Sequence, residues 1–246
     1  MSDLKKIEEV ENEWEESSKG LMGTSDNYVT DSGIPVKRLY TPLDVKDIDY
    51  LEDVGFPGMP PYSRGIYPTM YRGKPWTIRM FSGYGTPEET NQRWKMLYEH
   101  GETGFSAAVD VLTFNGIDPD DPRADVEVGT EGAPLYSIKS LEALTEGLPI
   151  DKISIALIVE PLTSAPITAS YFNVAKNRGV DLKNLMGTTQ NDILTMTIGY
   201  VGFEMPRPKD LLKLACDLIE FCSADKQAPK WHPVNFTGYN YREGGD

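Results

Sequence analysis

From residue 76 onward the sequence alternates between short β-forming runs and helical runs, and this alternation limits the possible folds more than any other feature. "WTIRMFSG", "GFSAAVDV", "DKISIALIV", "NLMGTTQ" and "HPVNFTGY" read as strands. Helices are expected over "TPEETNQRWKMLYEHG", "SIKSLEALTEG", "TSAPITASYFNVAKNRG", and the region formed by "NDILTMTIGYVGF" and "RPKDLLKLACDLIEFCSADK". The first of these carries its own punctuation. Thr86 is an N-cap, Pro87 suits the first helical position, Glu89 completes a capping box, and Gly101 stops the helix. A β-α order of this kind demands parallel strands joined by right-handed crossovers. It leaves two α/β architectures. A doubly wound sheet usually carries a glycine-rich turn after its first strand, and here "SGYG" follows with no G-x-G-x-x-G. A (β/α)8 barrel takes roughly 250 residues for eight units, and this stretch holds about four and a half. Either architecture puts the chemistry at the C-terminal strand ends, here residues 79–84, 110–115, 160–163, 190–192 and 239–242.

Ahead of the alternation, residues 3–18 read as a polar helix with Ile7, Val10 and Trp14 as a thin apolar stripe. Residues 20–66 are rich in Gly, Pro, Asp, Ser and Tyr and read as an ordered arm. Tyr40, Leu43, Val45, Ile48, Leu51 and Phe56 in this arm call for burial, and such an arm suits contact with another subunit.

The net charge of −14 disfavours nucleic acid and anionic membrane surfaces as partners. No apolar run approaches the roughly 20 residues of a membrane span. Cys216 and Cys222 read as buried free thiols, which points to a reducing cytoplasm. Catalytic metal sets, a G-x-S-x-G elbow and a P-loop are all missing, and the two histidines, His100 and His232, stand in no ligand pattern. Asp118, Asp120, Asp121 and Asp125 fall in "DPDDPRAD", where prolines make a solvated turn the expectation. "YPTMYRGKPWTIRMF" is different. It mixes basic, hydroxyl and aromatic side chains, a set suited to a phosphorylated ligand with a flat ring.

"YPTMY..KPWTIRMFSGYGTPEETN", "GFSAAVDV", "GTTQNDIL", "APKW" and "GYNYREGG" resemble, in order and spacing, the large catalytic chain of the methylmalonyl-CoA mutase family. The resemblance runs from about residue 35 to the end. It implies an α/β fold of the (β/α)8 TIM-barrel type, incomplete in this chain, with CoA threaded along the barrel axis and adenosylcobalamin closing its C-terminal face. It also implies radical rearrangement of a CoA thioester, in which the cofactor carries the hard step and few titrating residues are needed. Carried over by position, Tyr67, Thr69 and Met70 match the CoA channel and Lys74 stands near the CoA phosphates. Thr77, Arg79 and Ser106 match pantetheine and CoA contacts, and Thr188 and Gln190 match residues beside the thioester. Tyr239 matches an aromatic near the adenosyl group.

The departures bear on substrate. The methylmalonyl enzymes hold the free carboxylate with a tyrosine and an arginine, where this sequence has Phe81 and Tyr200. Loss of the guanidinium removes a bidentate clamp, so an acyl group without a free carboxylate is expected, branched, hydroxylated or aromatic. Asn240 replaces the family's histidine after "GY" and keeps a hydrogen-bond donor but no transferable proton. His232, where asparagine is common, is a candidate ligand contact. The cobalt-ligating D-x-H-x-x-G pattern does not occur in this sequence. The expected partners are therefore an acyl-CoA and a second mutase chain or cobalamin-binding subunit that supplies the cobalt ligand. The alternatives are a non-catalytic supporting subunit or a CoA-binding remnant of a heteromeric mutase. Domain limits are expected at 1–66 for the arm and 67–246 for the barrel part. An ending inside the barrel predicts either a cut chain or a seam that another polypeptide closes.

Overall fold

The computed structural model describes residues 3–21, 28–124, 126–195, 206–224 and 227–245. The chain divides into two compact units, Met1–Trp76 and Thr77–Asp246.

The second unit holds five parallel strands in the order β1-β2-β3-β4-β5. They are β1 (Arg79–Ser82), β2 (Gly104–Ala107), β3 (Ser154–Leu157), β4 (Met186–Thr189) and β5 (Trp231–His232). Each strand lies beside its predecessor and the order never reverses. This is the order of a (β/α)8 barrel and not of a doubly wound sheet, so the unit is the partial barrel that the alternation allowed. The connecting helices α2 (Pro87–Glu99), α4 (Ile138–Thr145), α5 (Pro161–Asn177) and α6 (Pro208–Ser223) pack side by side in chain order. A short helix, α3 (Val111–Phe114), breaks the long β2–α4 connection.

The helix ends follow from local sequence. Thr86 accepts a hydrogen bond from Glu89 N at 3.2 Å, and the Glu89 carboxylate accepts one from Thr86 N at 2.8 Å. This is the expected capping box, with Pro87 at the first position. The C-cap is His100, and Gly101 beyond it takes φ 95°, a conformation that costs glycine little.

The outward face of the sheet packs on these helices. Phe105, Ile155 and Leu157 point there and are fully buried with Trp94, Leu141, Leu144 and Tyr171. Trp94 stacks on Phe105 with centroids 4.9 Å apart and donates its indole N–H to Ser82 Oγ at 2.8 Å. Trp231 repeats the arrangement at the other edge, lying beside Phe172 and donating to Thr189 Oγ1 at 3.0 Å.

Three expectations for the barrel unit are corrected here. "VNFTGY" is not a strand: β5 is only Trp231–His232, because Pro233 has no N–H to continue the ladder. Beyond it, Asn235 N and Thr237 N donate to Gln190 O and to the Asp192 carboxylate. Tyr239, expected at the end of that strand, instead opens a short helix, α7 (Tyr239–Gly244). Cys216 is exposed on α6, and only Cys222 is buried, where burial raises its thiol pKa to about 11. The helical reading of "NDILTMTIGYVGF" falls largely outside the described residues.

The first unit contains α1 (Leu4–Ser18), capped by Asp3, and a largely irregular arm. Tyr40, Val45, Ile48, Leu51 and Phe56 are exposed, against the expectation of burial, and Leu43 is half-buried. Among the described residues of this unit, Gly55 alone is buried.

Trp94 anchors the outer core of the barrel unit, so Trp94→Ala is expected to cost about 3–5 kcal/mol by loss of burial and cavity formation. Equilibrium denaturation measures it, and a cost below about 1 kcal/mol would mean that the aromatic stack does not organise this face.

Candidate functional site

Parallel pairing in one register places every second residue of each strand on the same face. Arg79, Gly104, Ser154 and Met186 form one row across β1–β4. Phe81, Ser106, Ala156, Thr188 and His232 form the next row, which crosses all five strands. These rows occupy the face opposite Phe105, Ile155 and Leu157, which is the inward face of the barrel. Four expected site residues, Phe81, Ser106, Thr188 and His232, therefore share one row, with Arg79 one step below.

Across β2 and β3, and at Thr188 of β4, the side chains on this face are small, while Arg79, Phe81, Met186 and His232 stand toward the two edges. TIM-barrel interiors are ordinarily filled by bulky branched residues. Here Gly104, Ser106, Ser154, Ala156 and Thr188 are small, and the bulky residues of β2 and β3, Phe105, Ile155 and Leu157, sit on the outer face. Arg79 uses the space. A Cβ on Gly104 would approach Thr77 Cγ2 to 2.5 Å and Arg79 Nε to 3.0 Å, so glycine is what lets the arginine cross this row. The guanidinium donates to Phe105 O at 3.2 Å and to Ser154 Oγ at 2.7 Å. Burial lowers its pKa, and the Glu102 carboxylate works against that. Thr188 donates to His232 O at 2.8 Å, which ties β4 to β5.

Gln190 continues the alternation just past β4, its N–H bonded to Leu157 O at 3.0 Å, and only 7% of it is exposed. Its side-chain Nε2 donates to Glu160 Oε1 at 2.6 Å. Glu160 ends the β3 segment and is the N-cap of α5. It is fully buried, and its second oxygen accepts the Asp192 N–H at 2.7 Å. Asp192, equally buried, accepts from Leu194 N, Thr195 N, Thr195 Oγ1 and Thr237 N. Burial pushes the Glu160 pKa up to about 8 and the Asp192 charge adds to it, while the hydrogen bonds from Asp192 N and Gln190 pull back.

The remaining expected residues are placed separately. Tyr239 is exposed at the start of α7, which also contains Asn240. Tyr200 lies outside the described residues. Tyr67, Thr69, Met70 and Lys74 belong to the first unit, where Met70 takes φ 47° and Tyr67 is exposed. Asp118 and Asp120 are exposed and Asp121 pairs with Arg123, which holds the Asp121 carboxyl down at about 2.

The strand-end ranges 160–163 and 190–192 contained Glu160 and Asp192, but reading the sequence did not single out either as a site residue. The signal available was a carboxylate ending the apolar run "IALIV" and directly preceding a helix-starting proline. A charge at that place needs either solvent or a partner.

The family profile described as methylmalonyl-CoA mutase matches residues 29–246. The chain is 37% identical over 220 residues to the 2-hydroxyisobutanoyl-CoA mutase large subunit of Aquincola tertiaricarbonis, covering 89% of this chain and 38% of that protein. It is 35% identical over 236 residues to the methylmalonyl-CoA mutase large subunit of Streptomyces virginiae, covering 95% of this chain and 31% of that protein. Against the mitochondrial methylmalonyl-CoA mutase of Homo sapiens the identity is 34% over 216 residues, covering 88% and 28% respectively. The chain thus spans about a third of the length of the curated relatives it matches.

Glu160 makes stability pH-dependent. Its folded pKa of about 8 lies above the ordinary value of 4.5, so the folded state holds the proton more tightly. Its contribution is intact below about pH 4.5, declines as pH rises toward 8, and is lost above that. Glu160→Gln should flatten this decline in melting temperature between pH 5 and 8, and equal slopes in both proteins would contradict the assignment.

Proposed function

The chain belongs to the methylmalonyl-CoA mutase family, and on that premise we propose that it forms part of an acyl-CoA mutase acting on a thioester whose acyl group lacks a free carboxylate. The observation that carries the reading is the inward face. Gly104, Ser106, Ser154, Ala156 and Thr188 keep the barrel axis open, and Arg79 supplies a cation within it. A long, thin, phosphorylated ligand such as CoA fits an open axis with small polar walls, and a packed barrel interior would exclude it.

Within this proposal Thr77, Arg79 and Ser106 contact the pantetheine arm and CoA. Thr188 and Gln190 stand beside the thioester, and His232 shares the row of Thr188. For Tyr67, Thr69, Met70 and Lys74 a CoA contact is proposed on their match to the family's pattern alone. Phe81 supports the substrate assignment, since it offers the inward row an apolar ring with no donor for a carboxylate. With Tyr200 in place of an arginine, the acyl group is branched, hydroxylated or aromatic. The 2-hydroxyisobutanoyl group in the name of one relative is of that kind.

When bound, adenosylcobalamin supplies the radical chemistry of hydrogen abstraction and return. Residues of this chain fit its upper face in one respect: Tyr239 presents an uncovered aromatic ring beyond the last strand, a surface on which a flat group stacks. Asn240 follows it and is assigned to hydrogen-bonding the thioester carbonyl. The D-x-H-x-x-G pattern is not in this sequence, and His100 spends one ring nitrogen on Met96 O at 2.7 Å. The cobalt ligand is therefore assigned to residues outside this sequence, whether on a second mutase chain, on a cobalamin-binding subunit or in further sequence of the same protein. The chain's own part is to bind and orient the thioester and to keep water from it.

Two measurements test the proposal. Arg79→Ala should weaken binding of isobutyryl-CoA by about 10-fold to 100-fold, the range for a lost charge-assisted hydrogen bond. Unchanged affinity in calorimetry would remove the arginine from the CoA path. The complete assembly should turn over isobutyryl-CoA in preference to methylmalonyl-CoA, and the reverse preference would reject the reading of Phe81 and Tyr200.

A further inference from the structure

Gln190 is held at three points. Its backbone N–H donates to Leu157 O at 3.0 Å, and its backbone carbonyl accepts from Asn235 N at 2.8 Å. Its side chain is held by one end only, Nε2 donating to Glu160 Oε1 at 2.6 Å. Glu160 Oε2 accepts from the Asp192 N–H at 2.7 Å, so both oxygens of this fully buried carboxyl serve protein donors. The other end of the amide, Gln190 Oε1, accepts nothing from the described residues. It is not sealed in the core either: the buried side-chain polar atoms that lack a partner among the described residues are Thr163 Oγ1 and Tyr171 OH. Gln190 continues the alternation of Met186 and Thr188, which places it on the inward face.

The backbone decides how the two side chains meet. The Asp192 N–H cannot turn away, and it occupies one carboxyl oxygen. The second oxygen stands against Gln190 and takes the NH2 end of its amide. An amide has one donating and one accepting end, so what remains for a ligand is an acceptor. A saturated acyl group offers that oxygen nothing, and a ketone opposes it with another acceptor. A hydroxyl satisfies it by donating.

We propose that Glu160 is a positioning residue that holds Gln190 by its NH2 and so leaves Gln190 Oε1 as the acceptor for the hydroxyl of a hydroxyacyl-CoA. The selection comes mostly from exclusion, because an acyl group without the hydroxyl leaves a largely buried oxygen unpaired on binding. The ligand in this inference rests on the acyl-CoA reading above, whereas the hold of Glu160 on Gln190 does not. Glu160→Gln separates this role from packing. It keeps the size of the side chain, but its single oxygen is claimed by the Asp192 N–H, and its NH2 then faces Gln190. Gln190 answers with its oxygen and turns its own NH2 to the ligand. The acceptor at the site becomes a donor, and a ketone is no longer opposed.

The ligand part is tested by calorimetry on the complete assembly with 3-hydroxybutyryl-CoA and acetoacetyl-CoA, which share a skeleton and differ by a donor against an acceptor at one carbon. The wild type should bind the hydroxy compound about tenfold more tightly, the effect of one hydrogen bond at a buried acceptor. In Glu160→Gln the ratio should fall to one or reverse. Equal affinities in the wild type would assign the acceptor to the pantetheine amide N–H that both ligands carry, and would overturn selection by the hydroxyl. A preference that persists unchanged in Glu160→Gln overturns the role of Glu160. The hold itself is tested in the full chain without ligand, by solvent exchange of the Gln190 side-chain NH2 protons in NMR, assigned by their loss in Gln190→Met. They should exchange about tenfold more slowly than those of the exposed Gln92, and lose that protection in Glu160→Gln. Wild-type exchange as fast as at Gln92 overturns the hold without any need for the Glu160 variant, and so does protection that survives in that variant. Failure of both ligands to bind, with the protection intact, overturns the acyl-CoA reading and the hydroxyl contact with it, and leaves the hold standing.

Discussion

Five strands in one unbroken register are the constraint on which the rest of the barrel unit depends. Each of the first four strands has only four residues, so the ladders alone hold little. What fixes the register is the difference between the two faces. A slip of one residue at β2 or β3 would carry Phe105 or Ile155 to the inward face and bring Ser106 or Ala156 against the helices. Fully burying a large apolar side chain contributes about 1.5–3 kcal/mol, so a slip at one strand forfeits several such terms at once. The same register that buries Phe105 and Ile155 lines up Phe81, Ser106, Thr188 and His232. The packing of the outer layer is in this sense the cause of the alignment of the inner one.

A buried polar knot at the end of β4 does the finer positioning. Asn191 is fully buried with φ 54°, a conformation that asparagine tolerates better than most residues. Its amide donates to Pro233 O at 2.9 Å and Ala215 O at 3.3 Å, and its oxygen accepts from Ser164 at 2.9 Å. One side chain thus joins α5, α6 and the segment after β5. Thr168 and Thr189 bond to each other beneath it, and the Trp231 indole donates to Thr189. Gln190 and Asp192, on either side of Asn191, are fixed between these anchors, and their rotamers follow from a network in which buried groups find partners.

The legible part of the fold was the part written in local chemistry. The capping box of Thr86 and Glu89, the helix-starting prolines and the β-α alternation were all present in the sequence and placed the barrel elements. The length of β5 was misread because Phe236 and Tyr239 look like strand residues, whereas Pro233 decides the matter by lacking a hydrogen. Arg79, Ser106 and Thr188 could be named from motif resemblance, but their convergence on one face is a property of register, which no single segment encodes. Glu160 was illegible for a different reason. Its character depends first on burial and then on Asp192 and Gln190, 32 and 30 residues away, and none of these appears in its own neighbourhood of sequence.

The first unit carries a thermodynamic consequence. Among its described residues only Gly55 is buried, while Tyr40, Leu51, Phe56 and Trp76 remain exposed. The heat-capacity increment of unfolding comes from apolar surface newly exposed to water. Residues already exposed when folded have almost none to add. The increment of this chain therefore belongs to the barrel unit, and the curvature of its stability with temperature is that of a protein of about 170 residues.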